Sequence, residues 1–551
     1  MFSIHYSAAF QEFFRDFKSS AGDIATLDPL YDHVKDGMNG GDRLAALTRL
    51  SCMFSLVENA TASECINDVQ FKLSSQKWAV LRSSPQMMSF YISLILQVHL
   101  TEMIPSRDEA VVIKRRVSRE MHMLAQMCET TNDCVTQLDQ LIPAIRGLFL
   151  TAYQGEEYYP SSPIDFDWSI PHSYYRILNS SHALSIPTSR IHTVSSPMSH
   201  FGEGGRIRVA FVSAYLFRHS VGRLMGNMIL SLDTSTFHVT IINARKSRPE
   251  GKFKVDDLTE KLRTRADEWV DLSHSFDADI QRILNLHSDV LVFGDLLMDA
   301  FTAHLVSQRL APLQVGFWGH PFSAGSTTID YFISSDGFQE PWSTVKRKSV
   351  VSTDYYEQTV LMESFSANIL ADKVFEKGDT KEEVFIKHHD LGTRRAYVEY
   401  VTSHGFDLFN RPFSHGWNIT SLNTTSPLHI YTCLQSIMKM HPLFDEVVVD
   451  ILKKDPNSII ILLSSLKSKF IAQLFFQRRL LDAIERNDAD PTRILFMPQI
   501  SSTVYSRIVC GADVTLDSLP FGGGVTMSDS IRCNVPFVTS GEISIVKLLY
   551  C

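Results

Sequence analysis

Three consecutive glycines, Gly522, Gly523 and Gly524, follow an apolar run at 512–516 and precede Thr526 and Asp529. The apolar run predicts a buried strand, and the residues after the glycines predict a short helix. Glycine lets a backbone approach a ligand closely, and a helix N-terminus offers unpaired N–H groups and a positive dipole end to an anion. Asp529 falls about one turn into that helix, where a carboxylate can accept hydrogen bonds from a ribose. The segment therefore reads as a cradle for a nucleotide diphosphate. A glycine-rich turn more often only joins a strand to a helix, so its meaning depends on partners elsewhere in the chain.

Four groups share a strand-end location. His219 follows a strand expected over 207–212 and precedes a helix expected over 222–232. Gly319, His320 and Pro321 close a strand expected over 313–318. Lys439 stands just before Pro442, where a helix begins, and the glycine cradle ends a later strand. Taken singly, His219 reads as a cap or surface histidine and Lys439 as a solvated lysine. Their common placement at one sheet edge favours a binding site. Asp295 and Asp299, in another strand-end loop, are weaker candidates.

The elements that must position these residues alternate. Strands at 207–212, 237–244, 290–293 and 313–318 are followed downstream by helix 443–454, strand 458–463, helix 467–486, strand 494–497, helix 503–510 and strand 512–516. This predicts an α/β fold of two Rossmann-like, doubly wound halves, 205–341 and 429–551, around an intervening segment at 342–428. Ligands of such folds sit beyond the carboxyl ends of the strands. Residues 1–155 carry helix-period apolar segments and no convincing strand run, which predicts an all-helical region. No clean copy of a repeat of about 34 residues is present, leaving degenerate TPR-like repeats and a plain helical cap as equal readings. Residues 156–204, rich in Ser, Pro, His and Tyr, read as a linker.

The 551 residues suffice for two to four domains, and 44% hydrophobic with 21% charged residues is ordinary for a soluble globular chain. A net charge of −9 argues against a dedicated nucleic-acid binder. Neither a signal peptide nor a membrane-spanning run is expected. The eight cysteines are scattered without a CxxC pair, which predicts reduced thiols and a cytoplasmic or nuclear location. A metal ion holding a nucleotide diphosphate would call for a D-x-D pair at a strand end. The three D-x-D strings, Asp165-Asp167, Asp277-Asp279 and Asp488-Asp490, fall in linker, helix or turn contexts and read as solvated acids.

Several ordered motifs together resemble the catalytic region of the O-linked N-acetylglucosamine transferases. They are Arg208-Val209-Ala210-Phe211-Val212-Ser213 with His219, Leu310-Ala311-Pro312-Leu313-Gln314 through Trp318-Gly319-His320-Pro321, and Ile329 to Ser334. Downstream lie Gln435-Ser436-Ile437-Met438-Lys439-Met440-His441-Pro442, Asp455-Pro456-Asn457 and the glycine cradle. The resemblance covers roughly residues 145–545. It implies a GT-B type fold and inverting, metal-independent transfer of N-acetylglucosamine from UDP-GlcNAc to Ser or Thr hydroxyls of a protein. The donor would be a substrate, with no cofactor and no nucleic-acid or membrane partner.

By the same resemblance Lys439 would contact the phosphates, and Gly522, Gly523, Gly524 and Thr526 would complete the cradle. Asp529 would bind the ribose, Gln435 or Ser436 would lie near the nucleotide, and His219 would sit beside sugar or acceptor. Some features depart from the family. Gly524-Val525-Thr526 stands where its best-known members carry His-Thr-Thr, and Tyr505 occupies a position where some have histidine. Only 22 residues follow Asp529, so the resemblance predicts a C-terminally truncated second half. A related donor (GDP-fucose or UDP-glucose) and an inactive binding or scaffold remnant stand as alternatives.

Overall fold

The computed structural model describes residues 169–180, 205–246, 255–319, 323–335, 355–363, 404–408, 428–464, 470–498, 502–519 and 521–539, with a few further positions. The chain divides into two compact units. One comprises residues 1–101, 116–148 and 169–192, the other 102–115, 149–168 and 193–551.

In the first unit, helix α1 (Ser169–Asn179) buries Ile170, Tyr174, Tyr175, Ile177 and Leu178. Their spacing draws one apolar stripe along the helix, and Pro171 stands in its first turn, where a missing N–H costs nothing. Arg176 grips Glu129 through two hydrogen bonds of 2.7 and 2.6 Å. The expected linker at 156–204 therefore contains a packed helix. Its Ser, Pro and His content obscured a stripe carried largely by tyrosines. Most of the helical region expected at 1–155 lies outside the described residues.

The second unit holds two parallel sheets. The first runs β1 (Ile207–Ser213), α2 (Ser220–Ser231), β2 (Phe237–Asn243), α3 (Asp257–Arg265), β3 (Glu268–Asp271), α4 (Phe276–Leu284), β4 (Val290–Phe293), α5 (Ala300–Val306), β5 (Leu313–Phe317), β6 (Tyr331–Ser335) and β7 (Gln358–Met362). Its strand order is β3-β2-β1-β4-β5-β6-β7. The second runs β8 (His429–Cys433), α6 (Pro442–Lys454), β9 (Ser458–Leu463), α7 (Phe470–Arg486), β10 (Ile494–Met497), α8 (Ser502–Cys510), β11 (Val514–Leu516), α9 (Gly524–Arg532) and β12 (Phe537–Val538), in the order β10-β9-β8-β11-β12. The strand order reverses between β1 and β4 in one sheet and between β8 and β11 in the other. Those are the two places where neighbouring crossovers leave on opposite faces and open a crevice.

Strands covered on both faces read as unbroken apolar runs, as in Ser458–Leu463. Ile460 and Leu462 face one core with Phe444, Val448, Phe476 and Leu480 from α6 and α7. Ile459 and Ile461 face the other with Ile508 and Val509 from α8. Side-chain caps set the helix starts: Asp256 accepts from Thr259 N, Asp299 from Phe301 N and Thr302 N, and His441 from Leu443 N.

The segment at 342–428 extends both sheets. β7 pairs with β6, so the first sheet continues beyond residue 341. Tyr397, Val401, Phe406 and Leu408 pack on the second, and Phe406 bridges Phe496 with hydrogen bonds of 3.0 and 2.8 Å. β7 escaped sequence reading because its residues alternate between exposed and half-buried at a sheet edge. Cys510 and Cys533 form a disulfide, which corrects the expectation of reduced thiols at that pair. They lie 23 residues apart with a strand and a helix between them, and only the fold brings their Cα atoms to 4.9 Å.

Arg479 of α7 donates to Asp445 of α6 (2.6 and 3.0 Å) and to the Met440 carbonyl (2.7 Å), beside Lys439. The two side chains are 8% and 5% exposed. Removing one partner strands a buried charge, so Asp445→Ala should lower unfolding free energy by about 3–5 kcal/mol in urea titrations. A loss below about 1 kcal/mol would contradict the pair's role in holding this turn.

Candidate active site

The second sheet supplies the cradle. After β11 the chain turns through Asp517, whose Oδ1 accepts from Ser518 N (2.9 Å) and Gly523 N (2.8 Å), while Oδ2 accepts from Thr539 Oγ1 (2.9 Å). This carboxylate sits under the glycine turn and fixes its path. Burial raises its pKa to about 6 against the hydrogen bonds that lower it. A Cβ on Gly523 would lie 1.5 Å from Gln435 Nε2, so any side chain there must push that amide aside. It serves as the N-cap of α9 without a side-chain bond, so the first N–H groups of α9 face the turn beside Gly522.

Lys439 closes the cradle from β8's side. A 3₁₀ turn, Ile437–Lys439, follows β8, and Lys439 Nζ donates to Gln435 Oε1 (3.1 Å) and to the Gly522 carbonyl (3.1 Å). Its ammonium also lies 4.7 Å from the Phe521 ring centroid. Burial pulls its pKa down to about 8, partly offset by the Asp517 charge. Because an ammonium can only donate, the amide atom it meets is the oxygen, which leaves Gln435 Nε2 pointing at Gly523. That buried Nε2 has no hydrogen-bond partner among the described residues. Ser436 is exposed and caps the 3₁₀ turn without a side-chain hydrogen bond.

Tyr505 of α8 hydrogen-bonds Thr526 of α9, and burial raises its pKa, with the Asp529 charge adding to the effect. Asp529, the expected ribose ligand, is paired within the fold. Both its oxygens accept from Arg223 of α2 in the first sheet, at 2.6 Å (Nη2 to Oδ1) and 3.0 Å (Nη1 to Oδ2). Arg223, absent from the sequence-derived site residues, thus joins the two halves. Nothing in the sequence pairs positions 223 and 529.

The first sheet contributes the edge formed by β1, β4 and β5. His219 caps α2: its Nδ1 accepts from Val221 N at 3.3 Å, and its ring stacks on Tyr215 with centroids 4.4 Å apart. Burial lowers its pKa to about 4, so the ring is neutral at pH 7. With Nδ1 accepting, the remaining proton belongs on Nε2, making His219 a donor in this arrangement rather than a proton acceptor. Gly319 passes close to β4, since a Cβ there would lie 2.1 Å from the Gly294 carbonyl. His320 and Pro321 lie outside the described residues.

The two weaker candidates separate. Asp299 is the N-cap of α5, a structural duty. Asp295 is fully buried, with Oδ2 accepting from Ala214 N (2.9 Å) and Oδ1 without a hydrogen-bond partner among the described residues. Burial, then the Asp299 charge, raises its pKa to about 8, so it is mainly protonated at neutral pH. Of the D-x-D acids, Asp279 is buried rather than solvated. Its Oδ1 accepts from Ser273 N and Oγ, both at 2.9 Å. Among the described residues no group of three His, Cys, Asp or Glu could hold a metal ion, and no helix is long and apolar enough to cross a membrane.

No family model matches the chain. A search of curated proteins finds similarity to a probable UDP-N-acetylglucosamine–peptide N-acetylglucosaminyltransferase SEC of Arabidopsis thaliana, 23% identical over 353 residues. That match takes in 63% of this chain and 30% of the relative, so the chain spans under a third of the relative's length. Among solved structures it is similar to a mutant O-GlcNAc transferase of Thermobaculum terrenum: TM-score 0.47, 16% identity, 96% of this chain and 84% of that one. It is also similar to a glycosyltransferase of Rickettsia africae: TM-score 0.34, 11% identity, 60% of this chain and 79% of that one.

The packing of Gly523 on Gln435 generates a rescue experiment. Gly523→Ala should destabilise the protein by about 1–3 kcal/mol through overpacking. Adding Gln435→Ala should recover most of that loss in thermal melts. Equal instability of the single and double variants would show that the turn does not pack on this amide.

Proposed function

We propose that this O-GlcNAc transferase-like chain is a glycosyltransferase that binds a nucleotide-sugar donor across the glycine turn and passes the sugar to a protein hydroxyl. The sequence match to a curated O-GlcNAc transferase supports the family. The observation that carries the reading is the meeting of Lys439 with Gly522 at the entry to α9. An ammonium, a helix N-terminus and the Gln435 Nε2, which has no hydrogen-bond partner among the described residues, converge where a diphosphate would lie. A leaving diphosphate gains negative charge in the transition state, and fixed donors stabilise it without reorganising. Lys439 and the helix end supply that positive charge, so the reading requires no metal.

UDP-N-acetylglucosamine is the first donor to test, with Ser or Thr of a protein as acceptor and inversion at the anomeric carbon. His219, as an Nε2–H donor, fits a contact to a donor or sugar oxygen better than abstraction of the acceptor proton in this conformation. UDP-glucose and GDP-fucose share the diphosphate chemistry and belong in the same screen.

Calorimetric titration with UDP should show binding that survives EDTA and weakens at least tenfold in Lys439→Ala. Losing two hydrogen bonds to neutral acceptors should cost the fold only about 1–2 kcal/mol. Undiminished binding by a folded Lys439→Ala variant would remove the lysine from the site. An anion prefers the protonated lysine, and the free protein loses that proton near pH 8. Affinity for UDP should therefore fall as pH rises through 8, by at most about tenfold per pH unit for one proton. A flat profile from pH 7 to 9.5 would contradict this assignment.

A further inference from the structure

We infer that Arg223 holds Asp529 as a strut between the two halves and withholds it from the ribose, so that the site selects its donor by the diphosphate rather than by the ribose hydroxyls. The inference rests on the nucleotide-binding reading for its ligand, and on the geometry of one ion pair for its cause.

Both partners are fixed by their own halves. Arg223 follows Gly222, where a Cβ would lie 2.1 Å from the Phe217 carbonyl and 2.6 Å from that of Tyr215. The first turn of α2 is thereby pressed onto the turn that leaves β1, with His219 as its N-cap. Asp529 lies in α9, which is held at several points. Its Ser530 Oγ lies within hydrogen-bond distance of Thr515 Oγ1 (2.8 Å) and the Val535 carbonyl (3.2 Å), with one proton to give, and the disulfide ties Cys533, just past its end, to α8.

The ion pair engages both oxygens of the carboxylate, and Arg532 Nη1 stands 3.9 Å from Oδ1. Each guanidinium Nη donates to a different oxygen, and the two side chains are 6% and 7% exposed. A carboxylate bound in this way retains lone pairs, so charge alone would not exclude a hydroxyl; burial does. A ribose hydroxyl reaches a carboxylate this buried only by displacing a side chain packed on it, and breaking its two hydrogen bonds to Arg223 would separate two buried charges. Arg223 is therefore a positioning and specificity residue: it joins the strand-order reversals of the two sheets and neutralises the carboxylate on α9, the helix that leaves the cradle. Lys439 remains the cation poised for the anionic part of the donor.

The test has two arms on the full chain. The first needs no nucleotide. Arg223→Met and Asp529→Asn should each lower the melting temperature by roughly 5–10 °C, and the double variant should melt no lower than the worse single variant. Additive losses would overturn the strut. The second arm compares UDP with 2′,3′-dideoxyuridine diphosphate by calorimetry. Wild-type protein should bind the two within about threefold, and Arg223→Met should come to prefer UDP by about tenfold, since the freed carboxylate can then accept from the ribose. Arg223→Lys, which keeps a charge at the position with one contact, should lie between them and guards against a misfolded Met variant. A wild-type preference of tenfold that disappears in Asp529→Asn overturns the inference, as does an Arg223→Met variant as indifferent as wild type. Absence of any UDP binding removes the nucleotide reading and the ribose half of the inference with it, while the melting arm still decides the strut.

Discussion

Parallel pairing imposes one constraint from which the rest of the second unit follows. When every strand of a sheet runs the same way, every carboxyl end opens at one edge, and each return crosses a face as a helix or loop. Where the strand order reverses, the flanking crossovers diverge and leave a crevice. The chain has this reversal twice, at β1/β4 and at β8/β11. Residues as far apart in sequence as His219, Asp295, Lys439 and Asp529 all stand on segments that leave those four strands or the helices that follow them.

Two cations near those reversals, Arg223 buried and Lys439 half-buried, have different surroundings and therefore different capacities. Arg223 is matched by a carboxylate that presents one oxygen to each Nη, which satisfies both charge and geometry. It can hold two bodies together but has little to offer a ligand. Lys439 is held by an amide oxygen and a backbone carbonyl, with Asp517 acting from a distance, and burial has lowered its proton affinity. An arriving anion would improve its environment. The difference between a strut and a binding group here is a difference in the partner, not in the sign of the charge.

The glycine turn shows how little of its shape comes from glycine's own flexibility. The Gln435 amide occupies the space of a Cβ on Gly523, so a side chain there must displace it, and the Gly523 N–H is taken by Asp517. Asp517, Gln435, Lys439 and Gly522 form one connected polar set around the entry to α9. Tyr505 and Thr526 extend it along the helix toward the Arg223–Asp529 pair. Substitution at one member is felt by the others because the set is buried, where an unmet donor or acceptor costs more than in water.

The sequence by itself determined the elements that bury a continuous apolar run. β1, β4, β9 and β10 could be read from Val, Ile, Leu and Phe spacing, and helices α6 and α7, expected over 443–454 and 467–486, from their period, because those signals are local. It also marked Lys439, His219 and the glycine cradle, whose residue types stand out where strands end. The tertiary structure alone decided matters that depend on what lies opposite. The edge strand β7, the charged strand β3 and the tyrosine-striped α1 carry no simple apolar pattern, so only packing identifies them. The sequence marks Asp529 as a candidate ribose ligand, and only the fold sets Arg223, 306 residues away, against it. Asp279 looked solvated until the turn at Ser273 covered it. A residue's type and neighbours fix what chemistry it can do, but its burial and its partner fix what it does, and both are set by contacts distant in the chain.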